Sequence, residues 1–103
     1  MTAYQIVYAR IADQDRLQQY AVEAEKLFKA HGAVLIARGG ATTMEGDWPW
    51  QGAVIFAWPS RQTALDVWNS PEYARIHVLR HAAAEFQVVV IDGLPSLPNQ
   101  PGT

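Results

Sequence analysis

Three segments of this chain are apolar on both sides of the strand they would form. In residues 4–12, Tyr4, Ile6 and Tyr8 alternate with Val7, Ala9 and Ile11, so the two sets fall on opposite faces of a pleat. The runs Val34-Leu35-Ile36 and Val88-Val89-Val90-Ile91 are apolar throughout. A solvated antiparallel face would carry polar residues at every second position. Helices cover only one side of a sheet, and half a dozen wet side chains at roughly 1.5–3 kcal/mol each would rival the stability of a domain. A second sheet is therefore expected against the first, and a two-fold homodimer is the commonest way to supply it.

The remaining chain supplies the other elements. Asp13 or Asp15 caps a helix on which Leu17, Tyr20, Ala21, Ala24, Leu27 and Phe28 keep the spacing of one buried stripe, and His31-Gly32 ends it. Ala33 to Arg38 and Ala53 to Trp58 read as a hairpin around the turn-rich Gly46-Asp47-Trp48-Pro49-Trp50. Pro59-Ser60 opens a short helix carrying Ala64, Leu65, Val67 and Trp68. Ser70-Pro71-Glu72 opens another, expected to run to about Ala84 before a closing strand from Phe86 to Ile91. The order β-α-β-β-α-β predicts an α+β, ferredoxin-like domain over residues 1–93, with a four-stranded antiparallel sheet and helices on one face. Residues 94–103, rich in proline, are expected to form an extended arm or to be disordered.

Composition narrows the partners. The chain has 103 residues, enough for one core, and a formal net charge of −2 with no basic run, which gives no footprint for nucleic acid or an anionic membrane. With no cysteine, thiolate nucleophiles, disulfides, iron–sulfur clusters and cysteine-bound zinc are excluded. The N-terminus lacks a signal-peptide pattern and no apolar stretch approaches a membrane span, so a cytoplasmic location is the expectation. The glycines form no dinucleotide or phosphate-loop fingerprint and no serine elbow is present, so no cofactor is expected.

Six short motifs occur in order: Ala3-Tyr4 with Ile6, Arg38-Gly39-Gly40, Glu45-Gly46-Asp47-Trp48, Pro59-Ser60-Arg61, Ser70-Pro71-Glu72-Tyr73 and Leu79-Arg80. Together they resemble the short bacterial proteins of the domain-of-unknown-function family numbered 1330, over roughly residues 3–93. The resemblance implies a dimeric α/β-barrel in which two ferredoxin-like sheets face each other. It also implies a place in a superfamily that includes cofactor-independent monooxygenases, heme-handling enzymes and small decyclising or isomerising enzymes. It implies a fold and a cleft, and no particular reaction.

The candidate site residues follow from chemistry. Arg38, if it shares parity with Val34 and Ile36, enters the partner-facing cleft as a planar clamp for a carboxylate or enolate; otherwise it pairs with Glu45 or Asp47 across the hairpin. Tyr8 and Arg10, of the same parity as Tyr4 and Ile6, would line that cavity, although Arg10 equally suits a solvated strand end. His77 and His81 are four apart on the expected last helix, sharing a face with Tyr73 and Glu85. That spacing suits proton transfer, metal binding without a clear third ligand, or a solvated or dimer-contact face; no metal site is assigned.

Arg80 is a second cleft cation or the partner of Glu72 or Asp66. Glu45 and Asp47 are an acid–base pair or turn residues. Trp48, Trp50 and Trp68 wall a pocket or pack on the barrel. The expected protein is a homodimer with a small-molecule cleft, between the sheet and the last helix, for a small organic acid or aromatic. The alternative is a cofactor-independent enzyme of monooxygenase, lyase or isomerase type, with Arg38 as clamp and His77, His81 or Glu45 moving protons.

Overall fold

Each helix begins where a side chain replaces a missing backbone partner. Asp13 Oδ1 accepts from the Arg16 N–H at 3.2 Å, Ser60 Oγ from the Thr63 N–H at 3.0 Å and Ser70 Oγ from the Tyr73 N–H at 3.2 Å. The first helix ends at Gly32, whose φ of +91° lets its own N–H and that of Ala33 bond back to Lys29 and Phe28.

The computed structural model describes residues 1–95. In chain order the elements are β1 (Ala3–Ile11), α1 (Gln14–Ala30), β2 (Val34–Gly40), β3 (Gly52–Trp58), α2 (Arg61–Trp68), α3 (Pro71–His77), a 3-10 turn (Val78–Arg80) and β4 (Ala84–Asp92). The strands form one antiparallel sheet in the order β2-β3-β1-β4. This is the α+β ferredoxin-like arrangement predicted by the element order. The proline-containing arm expected at the C-terminus lies, from residue 96 onward, outside the described residues.

The helices cover one face of the sheet. Phe28 of α1 meets Phe56 and Trp58 of β3, both at 5.2 Å between ring centres, and Tyr73 of α3 at 5.8 Å. Trp58, the most buried large side chain, donates its indole N–H to Gln5 Oε1 at 2.9 Å, which satisfies both polar groups in the core.

The other face carries Tyr4, Ile6 and Tyr8 of β1, flanked in register by Ala57, Ile55 and Ala53 of β3 and by Ile91, Val89 and Gln87 of β4. Val34, Val89 and Ile91 on this face are about half exposed, at 58%, 48% and 51%.

Two expectations about the backbone are corrected. The last helix does not run to Ala84: α3 stops at His77, the 3-10 turn follows, and Ala82 takes a φ of +60°. Local propensity favours helix through Ala82-Ala83-Ala84, but tertiary bonds prevail. The buried Ala83 carbonyl accepts from both Ala12 and Asp13 at 2.9 Å, and Ala84 must lie opposite Ile11. β2, in turn, is not a regular strand. Its register against β3 shifts between Leu35 and Ala37, leaving Ile36 as an inserted residue.

Candidate functional site

The inserted residue decides where Arg38 points. Val34 pairs with Ala57 on the open face and Leu35 with Phe56 on the helix-covered face. Because Ile36 has no opposite number, Ala37 pairs with Ile55 and Arg38 with Val54, so Arg38 turns to the helix-covered side. The expectation that Arg38 shares the partner-facing side with Val34 and Ile36 is therefore wrong, and so is its pairing with Glu45 or Asp47. Its guanidinium is ion-paired with Glu25 of α1.

Arg38 and Glu25 line a cavity of about 630 Å³ between α1 and the sheet. Several small residues line it, and at Gly52 a side chain would meet the Gly39 carbonyl oxygen at 2.6 Å. Gly40, Gly52 and Ala9 stand in one cross-strand row of the sheet, and Ala21 of α1 also lines the cavity. The neighbouring row, Arg38-Val54-Val7-Val88, and Phe86 of β4 make the floor apolar. Uncharged amides of Gln5, Gln14, Gln18 and Gln51 complete the lining. An apolar hollow of this size with a few convergent polar groups suits a small organic ligand.

One end of the cavity is aromatic. Tyr20, Trp68 and Phe86 line it, and Tyr73 lies behind them, 2% exposed. Tyr73 stacks on Trp68 at 4.4 Å between ring centres, and its hydroxyl oxygen is 2.6 Å from that of Tyr20. The Arg80 guanidinium sits 4.1 Å from the Phe86 ring centre and 5.7 Å from that of Tyr20, and donates to the Tyr73 hydroxyl at 3.4 Å. Burial, reinforced by Tyr73, pushes the Tyr20 hydroxyl well above the ordinary phenol range; Arg80 offsets this in part.

Of the residues expected to form a site, Arg38 and Trp68 line this cavity. Tyr73 and Arg80 stand behind its aromatic end. Tyr8, Arg10 and Trp48 form a separate cluster on the open sheet face. There Trp48 packs edge-on to Tyr8 at 4.9 Å, Arg10 pairs with Glu85 and lies over Trp50 at 5.8 Å, and the buried Trp48 Nε1 has no acceptor among the described residues.

His77 and His81 do not share a helix face, because α3 ends between them. His77 packs against Tyr73 at 5.8 Å, and both histidines border a shallow depression with Arg80 and Ala82. Glu85, placed with them by helical spacing, belongs to β4. Glu45 is exposed in the loop between β2 and β3 and is not part of the lining. Arg80 forms neither of the ion pairs considered for it, with Glu72 or Asp66. Among the described residues no group of three or more His, Cys, Asp or Glu side chains is gathered for a metal, and no helix is long and apolar enough to cross a membrane.

Sequence reasoning missed Glu25, Gln5, Gln18 and Tyr20 as cavity residues, and it placed the cleft against the last helix instead of α1. Tyr20 and Ala21 were legible as part of a buried stripe. The clue to a hollow was that Ala21 is small where Ala9, Gly40 and Gly52 are small too, a coincidence visible only once the strands are in register.

The fold has counterparts in solved structures, three of which match at 10–15% identity. A protein of unknown function from Rhodopseudomonas palustris superposes with a TM-score of 0.72 at 15% identity, covering 92% of this chain and 84% of the other. A dimeric ferredoxin-like protein of unknown function from Jannaschia sp. gives 0.69 at 13% identity, covering 90% and 100%. SnoaB, a cofactor-independent oxygenase from Streptomyces nogalater, gives 0.58 at 10% identity, covering 95% and 96%. Comparison with curated proteins returns no match. The family model described as "Domain of unknown function (DUF1330)" matches residues 2–94, nearly the whole chain, and the protein belongs to that family.

Proposed function

We propose that this protein is a homodimeric binder of a small aromatic or apolar carboxylate, held in the cavity between α1 and the sheet with its carboxylate on Arg38. The observation that carries the reading is the turn of Arg38, by the insertion at Ile36, to the side of a hollow whose other lining on the sheet is apolar or uncharged. A guanidinium offers a planar pair of donors that fits a carboxylate. Its present partner is easily exchanged, because the Arg38 and Glu25 side chains are 56% and 34% exposed and such pairs contribute about 0.2–1 kcal/mol.

The dimer is supported by the open sheet face. Tyr4, Ile6, Val34, Ile55, Val89 and Ile91 form an apolar surface in two cross-strand rows, with three of the six about half exposed. Such a patch marks an interaction surface, and a second copy meeting it by two-fold symmetry would bury like against like. The Jannaschia protein of the same fold is described as dimeric.

Binding is preferred to turnover because His77, His81 and Glu45, the groups expected to move protons, stand outside the cavity lining. A thermal-shift screen of aromatic carboxylates on the purified protein tests the reading, with product analysis of each hit. Carboxylates are expected to raise Tm and uncharged analogues to do so less, with no product formed. A ligand at a hundred times its Kd stabilises by about 2.7 kcal/mol. An Arg38→Ala protein that kept the same preference for carboxylates would overturn the assignment.

A further inference from the structure

The loop between β2 and β3 folds back over one end of the open sheet face. Trp48 packs edge-on to Tyr8, with the ring planes at 76°, and the Trp50 ring lies 6.3 Å from that of Tyr8 at 34°. All three side chains are partly exposed, so rings at several inclinations stand at the surface there. Arg10 lies over Trp50 and is paired with Glu85, which fixes one side of the group. Trp48 Nε1 is the buried side-chain donor that finds no acceptor among the described residues, a state that folded proteins seldom leave uncorrected.

One segment of this chain has the complementary character. From Pro95 the sequence reads Pro95-Ser96-Leu97-Pro98-Asn99-Gln100-Pro101, with proline at every third position. That spacing matches the three residues per turn of polyproline II, which would set the three proline rings along one edge. The conformation has no internal hydrogen bonds, so its carbonyls are acceptors for a donor from elsewhere. Grooves lined by aromatic side chains recognise such segments.

Reach points to a second copy as the source. The Gly93 N–H donates to the Thr2 carbonyl at 2.7 Å, at the Tyr4 end of the open face, and Leu94 stands away from the sheet at 94% exposure. Tyr8 of the same copy is about 14 Å further along β1. In the dimer proposed above, a two-fold axis across the strands sets the Ile91 end of one copy over the Tyr8 end of the other. Each segment then starts beside its partner's aromatic group, with about 19 Å of length between Pro95 and Pro101 to lay across it.

We propose that residues 95–101 of one copy dock on the Tyr8, Trp48 and Trp50 group of the other as a polyproline II strand, with Trp48 turning its indole N–H outward to donate to a carbonyl of the segment. The inference rests on the dimer in the reading above and is independent of the ligand cavity. Each copy completes the other's aromatic group, and the two exchanged segments brace the dimer.

The chain has no cysteine, so Asn99→Cys gives a single attachment point for a nitroxide spin label. Isotope-labelled wild type and unlabelled, spin-labelled chain are unfolded together in urea and refolded, so that broadening of an indole N–H resonance reports a contact between copies. Single Trp→Phe variants assign the four indole signals. Trp58 and Trp68, on the helix-covered side of the sheet, are the internal reference. The Trp48 and Trp50 signals are expected to be lost while those of Trp58 and Trp68 persist. The loss is expected to disappear when the spin-labelled chain also carries Pro95→Ala, Pro98→Ala and Pro101→Ala. Sedimentation of the same mixture gives its oligomeric state. A dimer whose four indole signals are unaffected or equally broadened, or in which the alanine replacements change nothing, overturns the docking and leaves the dimer standing. A monomeric mixture overturns the dimer and this inference with it.

Discussion

Arg38 on β2 and Glu25 on α1 form an ion pair that closes the gap between the sheet and the helix, and both line the same cavity. The pair is partly exposed, so its contribution to stability is small, and on the proposed function a ligand carboxylate would take the place of Glu25 on the guanidinium. Glu25→Gln is expected to change unfolding stability by less than about 1 kcal/mol and to tighten binding of biphenyl carboxylate. Arg38→Ala is expected to weaken it by about tenfold or more, since hydrogen bonds to charged groups contribute about 1.5–3 kcal/mol. Calorimetric titration of the two variants in parallel checks both, and an Arg38→Ala protein with unchanged affinity removes Arg38 from the site.

The cavity is held open by small residues, so filling it should cost the fold little and the ligand everything. Ala21 of α1 lines the hollow together with Ala9 and Gly52 of the sheet. Ala21→Leu puts an isobutyl group into empty space, and its burial is expected to leave stability within about 1 kcal/mol of the wild type or to raise it. Binding of aromatic carboxylates should be lost. A destabilisation of more than about 2 kcal/mol by urea titration would mean that the hollow is narrower than the structure shows.

The open sheet face is predicted to be the dimer contact. Val89 and Ile91 are about half exposed and flank Ile6 and Tyr4 in register. Val89→Lys together with Ile91→Lys would place like charges across a two-fold interface at modest cost to a lone subunit. The double variant is expected to sediment as a folded monomer at micromolar concentration where the wild type sediments as a dimer. A wild type that is itself a stable monomer there excludes this use of the face.

Tyr20 makes stability fall at alkaline pH. Burial raises its ionisation above the value of about 10 that it has in the unfolded chain. The folded state therefore binds the proton more tightly. The resulting contribution is complete below pH 10 and is lost as pH rises beyond it, because the unfolded chain ionises while the folded one resists. Tyr20→Phe is expected to lose about 1 kcal/mol at pH 8 with its hydrogen bond and to decline less steeply than the wild type between pH 10 and 11.5. Equal slopes in urea-unfolding series across that range would show that Tyr20 is not the buried group responsible.

Much of the architecture was legible from residues 4–12 and the helix signals. The alternation of Tyr4, Ile6 and Tyr8 with Val7, Ala9 and Ile11, the caps at Asp13, Ser60 and Ser70, and Gly32 after α1 act within a turn or along a single strand, and each falls where it was expected. The exceptions are informative. Ala82-Ala83-Ala84 prefers helix locally, but the Ala83 carbonyl is needed by Ala12 and Asp13, seventy residues away in the chain. Without that long-range demand the spacing of His77, His81 and Glu85 looked like one face of a helix.

What the sequence determined by itself is therefore the set of elements, their order and the greasiness of both sheet faces, because periodicity and capping are local properties of the chain. What only the tertiary structure decided is which way Arg38 points and where the hollow lies. A single unpaired residue at Ile36 reverses the parity of every side chain after it in β2, and nothing in the run Val34-Leu35-Ile36-Ala37 marks which residue will be unpaired. The hollow is lined by small residues on four separate segments, Ala9, Ala21, Gly40 and Gly52, whose coming together is a matter of register between strands and helix, settled by packing of the whole domain.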